Sequence, residues 1–91
     1  MTPLYIAAQN GHLEVVQYLV QQGADRDKAT VDGFTPLIIA AAMGHLAVAQ
    51  YLVQQGADKN MADYDGWTPF SIATENGHLA VAKYLRKQGA V

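Results

Sequence analysis

Apolar residues occur along this chain in short blocks with helical spacing, and polar stretches separate the blocks. In the middle of the chain, two successive blocks each form one apolar helical side. Their apolar members are Leu37, Ile39, Ala40 and Ala41 in the first block, and Leu46, Val48, Ala49 and Leu52 in the second. The stretch from residue 57 to residue 67 then alternates in polarity around an Asp-Gly pair, which predicts an extended segment that turns back.

Four short motifs mark the limits of the blocks, and each motif recurs every 33 residues. The threonine of Thr-Pro can cap a helix whose first residue is the proline, and the glycine of Gly-His-Leu suits the left-handed conformation that ends a helix. The motifs begin at Thr2, Thr35 and Thr68 (Thr-Pro), Gly11, Gly44 and Gly77 (Gly-His-Leu), Gly23, Gly56 and Gly89 (Gly-Ala), and Asp32 and Asp65 (Asp-Gly). The period predicts one domain over residues 1–91, with repeats at approximately 1–33, 34–66 and 67–91.

The predicted helices are too short to be stable alone, because helices below about 12–15 residues are marginal in water. The second helix of the middle repeat, for example, is expected from about His45 to Gln55, ended by Gly56. Each helix pair has an apolar side that only a neighbouring repeat can cover, so the repeats must stack. The sequence therefore predicts an all-α solenoid of three helix-turn-helix repeats, shaped as an elongated slab with two projecting β-turn or hairpin loops.

The order and spacing of these motifs resemble the ankyrin repeat over essentially the whole chain. Thr-Pro-Leu, Gly-His-Leu, Gly-Ala-Asp and Asp-Gly follow the pattern of that family, with Thr-Pro-Phe in the third repeat. The family usually has a histidine after Thr-Pro-Leu that bonds a neighbouring loop, whereas this chain has Tyr5, Ile38 and Ser71 there. We therefore expect loops that are held partly by packing and are more mobile than is usual in the family.

The two ends of the predicted stack differ in polarity. Val20 and Val53 occupy positions that face the next repeat, and the equivalent residue of the third repeat is Arg86, followed by Lys87. A charge at a stacking position indicates a polar cap, so we expect the array to end there. The first repeat has no comparable substitution. Two interpretations stay open: further repeats precede it, or another copy of the chain covers this face.

The charge and composition of the chain argue against several classes of partner. The net charge is −2, and only Lys83, Arg86 and Lys87 cluster, so no nucleic-acid partner is expected. The longest apolar run, from Leu37 to Met43, is far below the ~20 residues that span a bilayer, so no membrane partner is expected either. The chain has no cysteine and no recognisable signal peptide, which favours an intracellular, cytoplasmic location.

The repeated histidines invite a metal or catalytic interpretation, which their spacing argues against. Because the three histidines occupy equivalent positions in stacked repeats, neighbouring ones should lie about 8–10 Å apart, which is too far for them to share one zinc ion. We expect instead a structural role at the start of each second helix. These residues are His12, His45 and His78.

No other group completes a reactive site, so no catalytic residue, metal site or cofactor is expected. A calcium-loop pattern that begins at Asp58 fails at Ala62. Ser71 and Thr74 have no nucleophile-elbow context, and every glycine already serves a turn or a helix end. The chain is therefore predicted not to be an enzyme.

Asn60 supports a smaller hypothesis. The segment from Leu52 to Asn60, with Asp58 two residues before the asparagine, resembles the ankyrin segment that asparaginyl hydroxylases modify. The alternative is an asparagine that stabilises its own turn.

The family resemblance implies a protein-binding surface at the loop tips and on the exposed side of the first helices. Aromatic residues, methionine and a few acids suit such an interface. The residues are Val31, Asp32, Phe34, Tyr64, Asp65 and Trp67 in the loops, with Gln9, Asn10, Ala42, Met43, Glu75 and Asn76 on the helices. An alternative for Phe34 and Trp67 is that they pack on their own loops. The acids favour a partner with a basic, or mixed apolar and basic, surface.

We therefore predict a protein–protein interaction module whose partner is another protein, with self-association through the N-terminal face as a further option. The competing interpretation is a structural spacer, or an engineered repeat scaffold, excised from a longer array.

Overall fold

The computed structural model describes residues 2–91, whose regular structure consists of six α-helices. They are α1 (Pro3–Asn10), α2 (Leu13–Gln21), α3 (Pro36–Met43), α4 (Leu46–Gln54), α5 (Pro69–Glu75) and α6 (Leu79–Lys87). The helices form three pairs with the same period as the sequence motifs. No strand occurs within residues 2–91. The predicted all-α architecture of helix-turn-helix repeats is confirmed.

The first helix of each pair begins with the predicted threonine cap. The Oγ1 atom of Thr35 accepts a hydrogen bond from the N–H of Ile38 at 3.2 Å, and Pro36 occupies the first helical position. In the third repeat the cap is reciprocal, because the Oγ atom of Ser71 also accepts from the N–H of Thr68. The residue that stands where the family has histidine thus reinforces the cap.

The second helices are slightly shorter than expected. In the middle repeat α4 begins at Leu46 and ends at Gln54, one residue inside each predicted limit. Gln55, rather than Gly56, is the capping residue, and Gly56 follows it with a left-handed φ of 89°. The histidine before each second helix stands at the capping position, yet its imidazole makes no bond to that helix.

The six helices lie in two rows that stack in chain order. Helices α1, α3 and α5 pack side by side in one row, helices α2, α4 and α6 form the other, and each pair also packs together. Helix α3 lies at the centre, and its residues from Pro36 to Ala42 are all buried. The molecule measures 30 × 25 × 20 Å, so it is less elongated than expected. Three repeats stacked about 10 Å apart reach little further than one repeat is wide.

Turns, not strands, make up the segments between the repeats. The Oδ1 atom of Asp25 accepts from the N–H of Asp27 at 2.9 Å, and Asp58 does the same for Asn60 at 3.0 Å. An aspartate that bonds the backbone two residues on fixes a turn locally. The turn predicted at Asp65-Gly66 is present, closed by the N–H of Asp63 on the carbonyl of Trp67. The stretch from residue 57 to residue 67 is not continuously extended, because the turn at Asp58 precedes the turn at Asp65-Gly66.

Hydrogen bonds also tie each of these segments to the next repeat. The Oδ1 atom of Asp27 accepts from the N–H of Asp58 at 3.0 Å, and that of Asn60 accepts from the N–H of Val91 at 3.1 Å. Asn60 thus both sits in a turn and bridges two repeats. Its side chain is exposed, and hydroxylation at this position stays a hypothesis.

Candidate protein-binding surface

The tip of the first loop, residues 30–34, is closed by hydrogen bonds at its base. The N–H of Thr30 donates to the carbonyl of Phe34 at 2.9 Å, and the Thr30 Oγ1 atom accepts from the N–H of Phe34 at 3.2 Å. The carbonyl of Thr30 accepts from the N–H of Gly33. The threonine therefore holds the tip through both its backbone and its side chain.

The second tip, residues 63–67, repeats this arrangement with an aspartate in place of the threonine. The N–H of Asp63 donates to the carbonyl of Trp67, and the Asp63 Oδ1 atom accepts from the N–H groups of Asp65 and Trp67, both at 2.9 Å. The side chain is buried, and its Oδ2 atom has no hydrogen-bond partner among the described residues. These bonds supplement the packing on which the loops were expected to depend.

The two tips contact each other. The N–H of Tyr64 donates to the carbonyl of Asp32 at 3.2 Å. The Tyr64 ring lies so close to Gly33 that a Cβ atom on this glycine would be 2.8 Å from the ring Cδ1 atom. Gly33 also has a φ of 84°, which disfavours a side chain. The glycine of Asp-Gly therefore permits both the turn and the close packing of the next loop.

The tips present apolar groups to solvent despite being held in this way. Val31 is 88% exposed and Tyr64 is 78% exposed, and Trp67 retains part of its surface. Phe34 is different, because it is partly buried and packs against the hydrophobic core. Phe34 therefore offers less exposed surface than the other apolar residues, and Val31 and Tyr64 form the most accessible apolar part of the loop tips.

The site residues predicted on the helices also divide into exposed and buried side chains. Asn10, Met43, Glu75 and Asn76 are exposed, and Gln9 is partly so. Ala42 is buried, so its side chain does not belong to the exposed surface. The Nδ2 atom of Asn76 donates to the carbonyl of Ala42 at 3.0 Å, which ties the third repeat to the second.

A histidine makes the equivalent tie between the first two repeats. The Nε2 atom of His45 lies 2.9 Å from the carbonyl oxygen of Gln9. Its ring covers Gly11, where an added Cβ atom would be 2.6 Å from Nδ1, and His78 covers Gly44 in the same way. The sequence placed these histidines at helix starts but did not indicate this contact across repeats. The glycine 34 residues before each of them was the available signal.

Negative charge dominates the loop-tip side. Asp32 and Asp65 lie in the tips and Glu75 lies near the end of α5, all three exposed. The basic residues are at positions 26, 28, 59, 83, 86 and 87, and of these Lys28 lies beside the first tip, where it lines a small pocket with Thr30 and Val31. Burial of the Tyr5 phenol, together with the nearby charge of Asp32, raises the pKa of Tyr5 above its usual value.

Two further features of residues 2–91 bear on function. They contain no cluster of three or more histidine, aspartate or glutamate side chains that could hold a metal ion. No helix in this part of the chain is long and apolar enough to cross a membrane.

Comparison with known proteins agrees with this architecture. A family model described as ankyrin repeats (3 copies) matches the chain twice, over residues 1–63 and over residues 26–91. A search of curated proteins found no match. The two matches together cover the whole chain, and the observed helix pairs have the order and period that the family's motifs predict. Proteins of this kind are generally protein–protein interaction modules, and this chain belongs to the ankyrin repeat family.

Proposed function

We propose that this domain binds another protein, without catalysis, through the loop-tip surface formed by Val31, Asp32, Tyr64, Asp65 and Trp67, with Met43 and Glu75 beside it. The observation that carries the proposal is the exposure of Val31 and Tyr64 on loops that are fixed by hydrogen bonds. A pre-organised apolar group loses little conformational entropy on binding, which makes it an effective anchor.

The charge of the surface suggests the chemistry of the partner. Asp32, Asp65 and Glu75 are exposed around the apolar groups, and no basic residue occurs between Lys28 and Lys59 or between Lys59 and Lys83. A partner that presents basic residues next to apolar ones would complement this surface. Its association rate should fall as salt is added, because rim charges act mainly on the rate of encounter.

Affinity capture with the 91-residue chain, followed by binding measurements with the purified partner, tests the proposal. Val31→Ser combined with Tyr64→Ser should weaken binding at least tenfold, because two exposed interface anchors are lost. Leu79→Ser is the matched control, since Leu79 is 70% exposed on α6, outside the proposed surface. A partner that binds wild type and both variants equally would show that the surface lies elsewhere.

The Phe34→Ala and Trp67→Ala variants address the aromatic residues of the same surface. We expect a loss of affinity greater than threefold for Trp67→Ala, whereas Phe34→Ala should act chiefly on stability because Phe34 packs against the core. The alternative function is a spacer within a longer array of repeats. If the domain is a spacer, any protein that it captures should bind the Val31→Ser/Tyr64→Ser variant as well as it binds wild type.

Self-association through the N-terminal face is a separate form of protein binding. It would use the uncovered side of α1 and α2 and needs no second kind of protein.

A further inference from the structure

Two of the three turns between paired helices contain an asparagine followed by a glycine. The pairs are Asn10-Gly11 in the first repeat and Asn76-Gly77 in the third, where the second repeat has Met43-Gly44. The backbone nitrogen of the following residue can attack an asparagine side chain, and glycine hinders this attack least because it has no Cβ atom. Both pairs are therefore chemically suited to deamidation, a reaction that needs no enzyme.

The Asn76 side chain is part of the contact between two repeats. Its Nδ2 atom donates to the carbonyl of Ala42 in α3 at 3.0 Å. Asn76 and Gly77 are both exposed, and a Cβ atom at Gly77 would meet no other part of the described chain within 4 Å. The nitrogen that deamidation removes is thus the donor that ties the third repeat to the second, in a turn that water reaches.

We propose that Asn76 deamidates spontaneously and that the reaction loosens the contact between the second and third repeats. Hydroxide takes the proton of the Gly77 backbone nitrogen, which then attacks the Asn76 Cγ atom. The new N–Cγ bond closes a succinimide ring as the Cγ–Nδ2 bond breaks, and Nδ2 leaves as ammonia with a proton from water. A second water molecule opens the ring at one of its two carbonyl carbons, which yields aspartate or isoaspartate without any change of oxidation state.

The folded structure controls the rate of this reaction. The N–H of Gly77 donates to the carbonyl of Thr74 at 3.1 Å, so the attacking nitrogen is occupied. Asn76 caps α5 with a ψ of 2°, a near-helical conformation that holds the nitrogen away from Cγ. Local opening at the end of α5 must therefore precede the attack. Conversion should be slower in the folded chain than in the unfolded chain.

The product is less suited to this position than asparagine. A carboxylate at residue 76 sets a second acceptor against the carbonyl oxygen of Ala42, so the bond between the repeats is lost. The new charge also lies at the C-terminal end of α5, where the helix dipole disfavours an anion, and next to Glu75. Asn10 likewise stands at the end of its helix, but its neighbour is the uncharged Gln9, and its side chain makes no bond to another repeat within residues 2–91.

Ageing of the folded 91-residue chain in mildly alkaline, heavy-oxygen water tests the reaction. Mass spectrometry of its peptides should find the NH₂ group of residue 76 replaced by labelled oxygen, as a mixture of aspartate and isoaspartate. The chain unfolded in urea should convert faster. Asn76→Gln is the matched control, because its longer side chain must close a larger ring and should not convert in the same period. A folded chain whose residue 76 is unchanged after the unfolded chain has converted completely would overturn the proposal.

Urea unfolding tests the consequence for the stack. Asn76→Asp reproduces one product and should unfold at a lower urea concentration than wild type, and Asn10→Asp should shift the midpoint less because it adds only the charge at a helix end. The aged chain should unfold at the midpoint of Asn76→Asp or below it. Equal midpoints for the two variants would show that the bond to Ala42 does not stabilise the contact. None of these measurements involves a partner at the loop tips, so their outcome does not depend on the proposed binding surface.

Discussion

At the scale of single residues, the Asp63 side chain stabilises a loop through hydrogen bonds but also buries a polar atom that has no partner among the described residues. One carboxylate oxygen accepts two backbone hydrogen bonds, while the other is buried and without a partner within the described chain. Thr30, at the same position of the first loop, does a similar task with a single oxygen. A buried polar atom without a partner costs free energy, so the aspartate is not the most stable choice for a loop base.

Substitution of Asp63 should separate these two contributions. Asp63→Ala removes both accepted bonds and should lower the free energy of unfolding by about 1–3 kcal/mol. Asp63→Asn keeps the accepting oxygen and places a neutral NH₂ group where the unpartnered oxygen lies, so we expect a smaller loss of stability than in Asp63→Ala. Urea unfolding measures both changes. If Asp63→Asn is as damaging as Asp63→Ala, the charge itself is required.

The Tyr5 side chain should make the stability of the domain depend on pH on the alkaline side. Burial and the charge of Asp32 raise the pKa of Tyr5 in the folded chain above the value of about 10 that it has when unfolded. The unfolded state therefore loses this proton first as pH rises. The stability that neutral Tyr5 contributes is complete below about pH 10 and is lost as pH climbs through the folded pKa.

The test is the slope of the free energy of unfolding against pH on the alkaline side. We expect a smaller decline above about pH 10 in Tyr5→Phe than in wild type, because phenylalanine has no proton to lose. Asp32→Asn, which removes only the lesser cause of the shift, should give an intermediate decline. Equal slopes for all three proteins would show that Tyr5 titrates alike in the folded and unfolded states.

At the scale of helices, the contact between His45 and Gly11 joins the first two repeats. Gly11 and Gly77 both have left-handed φ values, 73° and 77°, so alanine is strained at either site. Of these two glycines, Gly11 lies beneath a histidine ring, whereas nothing approaches the space where a Gly77 Cβ would stand. The two glycines are therefore a matched pair that differ in the contact with a neighbouring repeat.

Alanine at each glycine should isolate that contact. Gly77→Ala should cost about 1–2 kcal/mol from backbone strain. Gly11→Ala should cost about 1–2 kcal/mol more, because it displaces His45 from the carbonyl of Gln9. The excess should disappear when both alanines are measured in a His45→Ala background, as a double-mutant cycle requires. Chemical unfolding provides the values, and an excess that survives His45→Ala would assign it to another cause.

The limits and contacts of the helices could be predicted from the sequence with different accuracy. The Thr-Pro motif correctly predicted where α1, α3 and α5 begin, because the threonine cap bonds a backbone N–H only three residues further along the chain. The limits of α4 were off by one residue at each end, because His45 and Gln55 are the capping residues that flank the helix and neither has a side chain that marks this role. The tie from His45 to Gln9 was missed because it joins residues 36 apart, and no local rule determines which carbonyl an imidazole reaches.

The loop-tip surface was predictable in position but not in exposure. The period alone placed Val31 and Tyr64 at equivalent sites, and both are open to solvent. Ala42, however, was expected at the surface and is buried, because helix α3 has a repeat on each side. Phe34 could not be assigned from the sequence either, since an aromatic residue beside a turn can turn inward or outward. Whether these residues bind a partner remains a prediction.

At the scale of the whole molecule, the difference between the two ends controls whether the stack can extend. An interior repeat presents apolar residues on both sides, which allows indefinite addition of further repeats. In this chain Thr74 and Arg86 stand on the last helix pair at positions where earlier repeats have alanine and valine. Two side chains therefore prevent the far end from resembling an interior surface.

Removing both polar side chains should convert the chain into a unit that polymerises. In Thr74→Ala combined with Arg86→Val, the last repeat has the alanine and valine of the first two repeats at these two positions. It can then pack on the exposed face of α1 and α2 in another copy. Because this contact joins two different patches, it does not close on itself and should yield open chains. Sedimentation should show masses that increase with concentration beyond a dimer.

Adding Val15→Lys should return the double variant to small species by blocking the receiving face. A double variant that sediments like wild type would mean that Thr74 and Arg86 do not control extension, and that other residues of α6, such as Lys87, suffice to cap the stack.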